Sequence, residues 1–134
     1  MDFIAAMGEA WEAFIRKGDA TLVDQLFAED YVRHGSTDSD REGFKLIMHA
    51  LHTAFPDLET RPLDVIEQGD RVVYRWESRG THQGEYLGAP ATGKSIVARG
   101  ITITRLADGR AVEDWSSWNE VSVLHQLGIL PIDR

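Results

Sequence analysis

The 134-residue chain contains no cysteine. That excludes disulfide bonds, thiolate metal sites and thiol catalysis, and it fits a reducing cytoplasm. A surplus of positive charge is also missing, since 22 Asp and Glu against 14 Lys and Arg leave a formal charge of −8. Such a chain lacks the basic footprint of a nucleic-acid partner and is not drawn to anionic membranes. The acidity reads as a solubility property. No apolar run approaches the ~20 residues of a membrane-spanning helix. Met1-Asp2-Phe3-Ile4 has neither the basic start nor the cleavage site of a signal peptide. Repeats, low-complexity tracts and linkers are absent as well. An apolar content of 43% over this length suits one domain with one core, spanning residues 1–134.

Two periodicities divide the chain. Residues 2–17 predict a helix with Phe3, Met7, Ala10, Trp11 and Phe14 on one face, stopped by Gly18. Asp19 is positioned to cap a short helix holding Leu22, Val23, Leu26 and Phe27. A segment from Glu29 to Gly35 leads into the polar loop Ser36–Asp40. Ser39 and Glu42 have capping-box spacing and open a third helix, with Phe44, Ile47, Met48, Leu51 and Phe55 inward and Pro56 at its end. The period then drops to two. Strands are predicted from Leu63 to Gln68 and over 71–79, 95–106 and 110–119, with hairpin turns at Gln68-Gly69-Asp70 and Ala107-Asp108-Gly109. A last helix covers 120–127, stopped by Gly128. Helices first and antiparallel strands after predict an α+β fold. A curved antiparallel sheet folds over the N-terminal helices as a cone, whose open mouth is a natural small-molecule site.

The segment Gly80-Thr81-His82-Gln83-Gly84-Glu85-Tyr86-Leu87-Gly88-Ala89-Pro90-Ala91-Thr92-Gly93-Lys94 is too rich in Gly and Pro for a strand or a long helix. It is an ordered excursion between two strands. Together with Tyr31-Val32-x-His34, Phe55-Pro56-Asp57, Gly69-Asp70-Arg71-Val72-Val73, Val112-Glu113-Asp114-Trp115 and Gln126-Leu127-Gly128, it resembles the SnoaL-like polyketide cyclases of the nuclear transport factor 2-like superfamily. The resemblance covers roughly residues 3–128. It implies a cone-shaped α+β barrel, dimeric or larger, and a hydrophobic small-molecule substrate. For the founding cyclases it implies aldol ring closure with a carboxylate as acid/base and no cofactor or metal. Related members are described as cofactor-independent hydroxylases. The position of the cyclases' acid/base aspartate falls on Ser116 here, and the later acidic position is Asn119. The Arg-x-Asp arrangement of hydrolases on this superfold does not occur in the chain.

Asp114 lies two residues before Ser116, so in a regular strand the two side chains share a face. If that face lines the cone, Asp114 is the nearest replacement base, and burial beside Trp76 and Trp118 raises its proton affinity. The alternative is a hydrogen-bonded carboxylate near a strand end. His34 could enter the mouth as a base or donor, since an imidazole titrates near neutrality; otherwise it is a loop histidine bonded to backbone. His82 either contacts substrate from the rim or pins the glycine loop. His49 and His52 read as surface or interface residues. No pair of the five histidines has the i, i+4 spacing with an acidic partner of a helical zinc site, so no metal is expected. Arg99 facing inward would bind a substrate carboxylate or an enolate; facing outward it would pair with Glu77 or Glu113. A single bulge would reverse which face of strand 96–104 is internal. Trp115 and Trp118, three apart, cannot both face inward, so one lines the pocket and the other covers a subunit interface. Two readings remain open at this level. One is a cofactor-independent enzyme acting by general acid/base chemistry on an aromatic or polyketide-like carbonyl compound. The other is a non-catalytic binding or dimerisation module on the same fold.

Overall fold

The computed structural model describes residues 2–129. Residue 1 and residues 130–134, which the one-domain reading includes, lie outside the described residues. The elements in chain order are α1 (Phe3–Lys17), α2 (Thr21–Leu26), β1 (Phe27–His34), β2 (Ser39–Asp40), α3 (Arg41–Ala54), β3 (Glu59–Gln68), β4 (Arg71–Thr81), β5 (Ser95–Ala107), β6 (Arg110–Trp118) and α4 (Glu120–Leu127). Asp2 starts α1 by accepting the Ala5 amide at 3.2 Å, and Gly18 ends it in the left-handed region at φ 65°. The cap of α3 is Asp40 rather than Ser39. Asp40 accepts the Gly43 amide at 2.7 Å, while Glu42 turns to Lys45 and Ser39 pairs with Arg33 as part of β2. In α3, Ile47 stays exposed and Met48 takes the place against the core. No helix among the described residues is long and apolar enough to cross a membrane.

The six strands form one curved, unclosed sheet in the order β2-β1-β6-β5-β4-β3. The expected antiparallel meander is present from β3 to β6. One pair departs from it: β1 runs parallel to β6. Parallel neighbours need a long connection, and here α3 and β3–β5 supply it. The sheet does not close into a barrel, because β2 and β3 remain edges.

Two apolar clusters fill the concave side. The first gathers Phe3 and Trp11 of α1, Phe27 and Tyr31 of β1, Phe44 of α3, and Val72 and Tyr74 of β4. Phe27 is its hub, within 6.3 Å, centroid to centroid, of the rings of Phe3, Trp11, Tyr31 and Phe44. Truncating such a residue to alanine costs about 3–5 kcal/mol. The second joins Phe55, Tyr86, Ile96, Ala98, Val123 and Leu127. Trp76 packs against both. Beyond the end of β6, strand β5 would present bare backbone. Gln126 of α4 covers it, accepting the Val97 amide at 2.9 Å and donating to the Val97 carbonyl at 3.1 Å.

Candidate active site

Register sorts every candidate onto one face or the other. Cross-strand neighbours share a face, and β4, β5 and β6 align as Trp76–Gly100–Trp118, Tyr74–Thr102–Ser116 and Val72–Thr104–Asp114. Thr102, Thr104 and Asp114 are buried, so these three rows are the concave face. Gly100 is required in its row. A methyl group there would stand 2.4 Å from Trp76 Cζ2 and 2.8 Å from Trp118 Cβ. The missing side chain therefore seats the Trp76 indole across the strand.

The indole N–H of Trp76 donates to Thr102 Oγ1 at 3.0 Å, and Thr102 Oγ1 lies 3.0 Å from Ser116 Oγ. The Tyr74 phenol, next to Thr102 in register, donates to Met7 Sδ at 3.6 Å. Thr104 donates to Asp114 Oδ1 at 2.5 Å, and Tyr31 donates to Asp114 Oδ2 at 2.5 Å. Arg33, opposite Asp114 on β1, brings Nη1 to 3.7 Å from Oδ2 and lays its guanidinium over the Phe44 ring. Hydroxyl groups of adjacent rows thus stand side by side on this face: the Thr102–Ser116 pair, with the half-buried Ser116 two residues before Trp118, and Thr104 on a carboxylate that is 1% exposed. Burial pushes the Asp114 carboxyl above its ordinary range, against the pull of Thr104, Tyr31 and Arg33. The Tyr31 and Tyr74 phenols are held protonated by burial and by the charge of Asp114.

His34, expected beside Asp114, is on the opposite face. Its neighbour in register is Trp115, on which it stacks at 5.6 Å. Its Nε2 lies 2.7 Å from Glu113 Oε2 and its Nδ1 3.2 Å from Asp38 Oδ2, and these partners raise its proton affinity. Side chains alternate along a strand, so Arg33 is the β1 residue that reaches the concave face. Arg99 is likewise turned away. It faces the convex side and pairs with Glu77 at 3.1 Å. Trp118 is concave and Trp115 convex, where Arg71 lies over its ring.

Asn119 is occupied structurally: its side-chain oxygen accepts the Arg99 amide at 2.8 Å, and its own amide donates to the Arg99 carbonyl at 3.1 Å. His82 is fully buried and ties the glycine loop to itself. Its amide donates to the Lys94 carbonyl, its carbonyl accepts from Gly93, and Nδ1 accepts the Thr92 amide at 3.2 Å. Its ring packs on Phe55 in the second cluster. His82 and Asn119 are therefore not gathered with Asp114, whereas Trp76, Ser116 and Trp118 share its face. Two grooves open elsewhere, one of about 510 Å³ between Asp2, Ile4 and the edge strand at Pro62, Val65 and Glu67, and one of about 640 Å³ beside the Asp108 turn. Among the described residues, no cluster of His, Asp and Glu is arranged to hold a metal ion.

Sequence reasoning missed Tyr31, Arg33 and Tyr74, and left open whether Gly100, Thr102 and Thr104 or Arg99, Ile101 and Ile103 face inward; the register selects the first set. The available signal was Thr102 and Thr104 alternating with Ile101 and Ile103, a polar set on one face of an apolar strand.

Comparison with known proteins places these features in context. The model of the SnoaL-like polyketide cyclase family matches residues 5–127. The crystal structure of wild-type IdmH from Streptomyces antibioticus, a polyketide cyclase candidate, is 32% identical over 96% of this chain and 99% of that one, with a TM-score of 0.79. AclR from Streptomyces galilaeus, a hydroxylase candidate, is 27% identical over 99% of this chain and 85% of that one, with a TM-score of 0.82. An isomerase candidate from Rhodopseudomonas palustris shares the fold at 8% identity, covering 97% of this chain and 98% of that one, with a TM-score of 0.77. No curated protein matches the chain.

Proposed function

The chain belongs to the SnoaL-like polyketide cyclase family, and on that ground we propose that it is a single-domain, cytoplasmic, cofactor-independent enzyme working on an aromatic or polyketide-like carbonyl compound. The observation that carries this reading is the polar patch of the concave face: Ser116, bonded to Thr102 and two residues before Trp118, stands one row from Thr104 and the buried Asp114. A flat substrate packs against the two indoles and accepts a hydrogen bond from Ser116. A carbon next to its carbonyl loses a proton, for which Asp114 is the acceptor. Asp114 already accepts from Thr104 and Tyr31, and burial raises its proton affinity above the ordinary carboxylate range. The enolate carbon then attacks a second carbonyl of the same molecule and closes a ring. The new alkoxide takes that proton back from Asp114, so no oxidant or reductant is consumed.

Ser116→Ala and Asp114→Asn should each reduce ring closure of a linear aromatic polyketone, followed by chromatography, by about a hundredfold or more. Unchanged turnover in both variants rejects this assignment of roles. The second reading, a non-catalytic binding module, draws support from one observation: both Asp114 oxygens are engaged and the residue is 1% exposed. Quenching of tryptophan fluorescence by such a compound, with no product formed, would favour it.

A homodimer completes the proposal. The second copy seats on the convex row Ile66–Val73–Ile103–Trp115, in which Ile66 is 63% exposed. Ile66→Asp should shift sedimentation toward monomer, and an unchanged sedimentation coefficient would remove this face from consideration.

A further inference from the structure

We infer that Arg61, Arg79 and Arg99 form an oxyanion-binding site on the convex face, separate from the concave chemistry and independent of it. Register brings them together. Arg61 and Arg99 stand directly opposite Glu77 on the two neighbouring strands, and Arg79 follows two residues along β4 on the same face. Glu77 Oε1 accepts from Arg61 at 3.2 Å and from Arg79 at 2.9 Å, and Oε2 accepts from Arg99 at 3.1 Å. Three positive charges thus meet one negative charge. Among the described residues, none of the three arginines has another acidic partner; Glu59, opposite Arg79 in register, makes no ion pair with it.

The geometry gives this surplus a use. The carboxylate of Glu77 is 5% exposed under side chains that are themselves 69%, 62% and 58% exposed. Each guanidinium spends one N–H on Glu77 and keeps further donors on a side chain that is more than half exposed. Planar guanidinium forks take phosphate or carboxylate oxygens in paired N–H···O bonds, and these three already converge on one carboxylate. Glu77 organises the arginines without neutralising them, and an arriving anion meets donors already ordered. On a chain of charge −8, this is an island of opposite sign. The ligand class is therefore a compound or partner group carrying phosphate or clustered carboxylate.

The test is a titration of the full-length protein with inorganic phosphate at fixed ionic strength, balanced with sodium chloride, reading the arginine Nε–H signals by NMR. Saturating shifts of three arginine signals at roughly millimolar phosphate are expected. A parallel titration with succinate separates the two anion classes, and saturation by either supports the site. Arg99→Gln and Arg79→Gln, each checked for fold by circular dichroism, should weaken binding about tenfold. Arg16→Gln, on the exposed face of α1, should leave it unchanged. Linear shifts without saturation, equal response to chloride, or undiminished binding in both variants would overturn the inference.

Discussion

Asp114 and Glu77 are two carboxylates hidden in opposite faces of one sheet, at 1% and 4% exposure, and their proton affinities move in opposite directions. Asp114 is surrounded by hydroxyl groups, with one guanidinium at 3.7 Å. Desolvation wins there, and the carboxyl is pushed above its ordinary range. Glu77 is wrapped by three guanidinium groups, led by Arg79, and its pKa falls from 4.5 to about 2. Burial alone therefore does not decide the protonation of a carboxylate. Whether the covering groups are dipoles or full charges decides it. The concave face raises the proton affinity of its carboxyl group and the convex face lowers that of its own.

The largest expected effect comes from emptying the concave side of the comparison. Asp114→Ala leaves Tyr31, Thr104 and Arg33 without their acceptor in the interior, and should cost about 3–5 kcal/mol in urea denaturation at neutral pH. A loss under ~1 kcal/mol would mean that water already reaches this site, and the contrast with Glu77 would collapse. Next comes Gly100→Ala. Its methyl group meets the Trp76 ring and, at 2.8 Å, the Ser117 carbonyl, which cannot swing aside. Overpacking of about 1–3 kcal/mol should follow, with a shifted tryptophan emission.

A smaller effect tests the sign of the two carboxylates directly. Because the folded-state pKa of Glu77 is depressed, its contribution is present above pH 4.5 and is lost as pH falls toward about 2. Glu77→Gln should therefore lower Tm at neutral pH and converge with the parent protein near the acid end. Asp114→Asn should differ in slope with the opposite sign, because a raised folded pKa makes stability fall as pH rises from 3.8 through the folded value. Parallel pH profiles for the two variants would break the comparison. The smallest effect is at His34, a third titrating group on the convex side. Its partners Glu113 and Asp38 raise its pKa, so its contribution is complete below pH 6.5 and is lost as pH rises through the folded value. His34→Gln should lower Tm below pH 6.5, where the contribution is complete, and flatten the decline above that pH.

Much of the frame was legible in the residues. The apolar face of α1, the stops at Gly18 and Gly128 and the two hairpin turns all rest on local rules that tertiary structure did not override. The site was less legible, because its assembly depends on register. Counting outward from Asp108-Gly109 without irregularity pairs Thr104 with Glu113. The bulge between Arg105 and Leu106 on this ladder shifts the pairing by one, so Thr104 faces Asp114 instead. The parallel contact of β1 with β6 was equally silent. Tyr31 and Asp114 are 83 residues apart, and no turn residue marks such a pairing. That pairing also decides that Arg33, and not His34, reaches the carboxylate.

The amides of Asn119 and Gln126 stand in for a missing strand along β5. Strand β5 keeps its full ladder to β4 on its other side. Detachment of α4 therefore releases a few side-chain bonds and no part of the sheet. The main-chain N–H groups of Val97 and Arg99 become a built-in clock for that event. Their deuterium uptake follows the docking of the last helix, while the Thr102 and Thr104 amides, held within the ladders, report opening of the sheet as a whole.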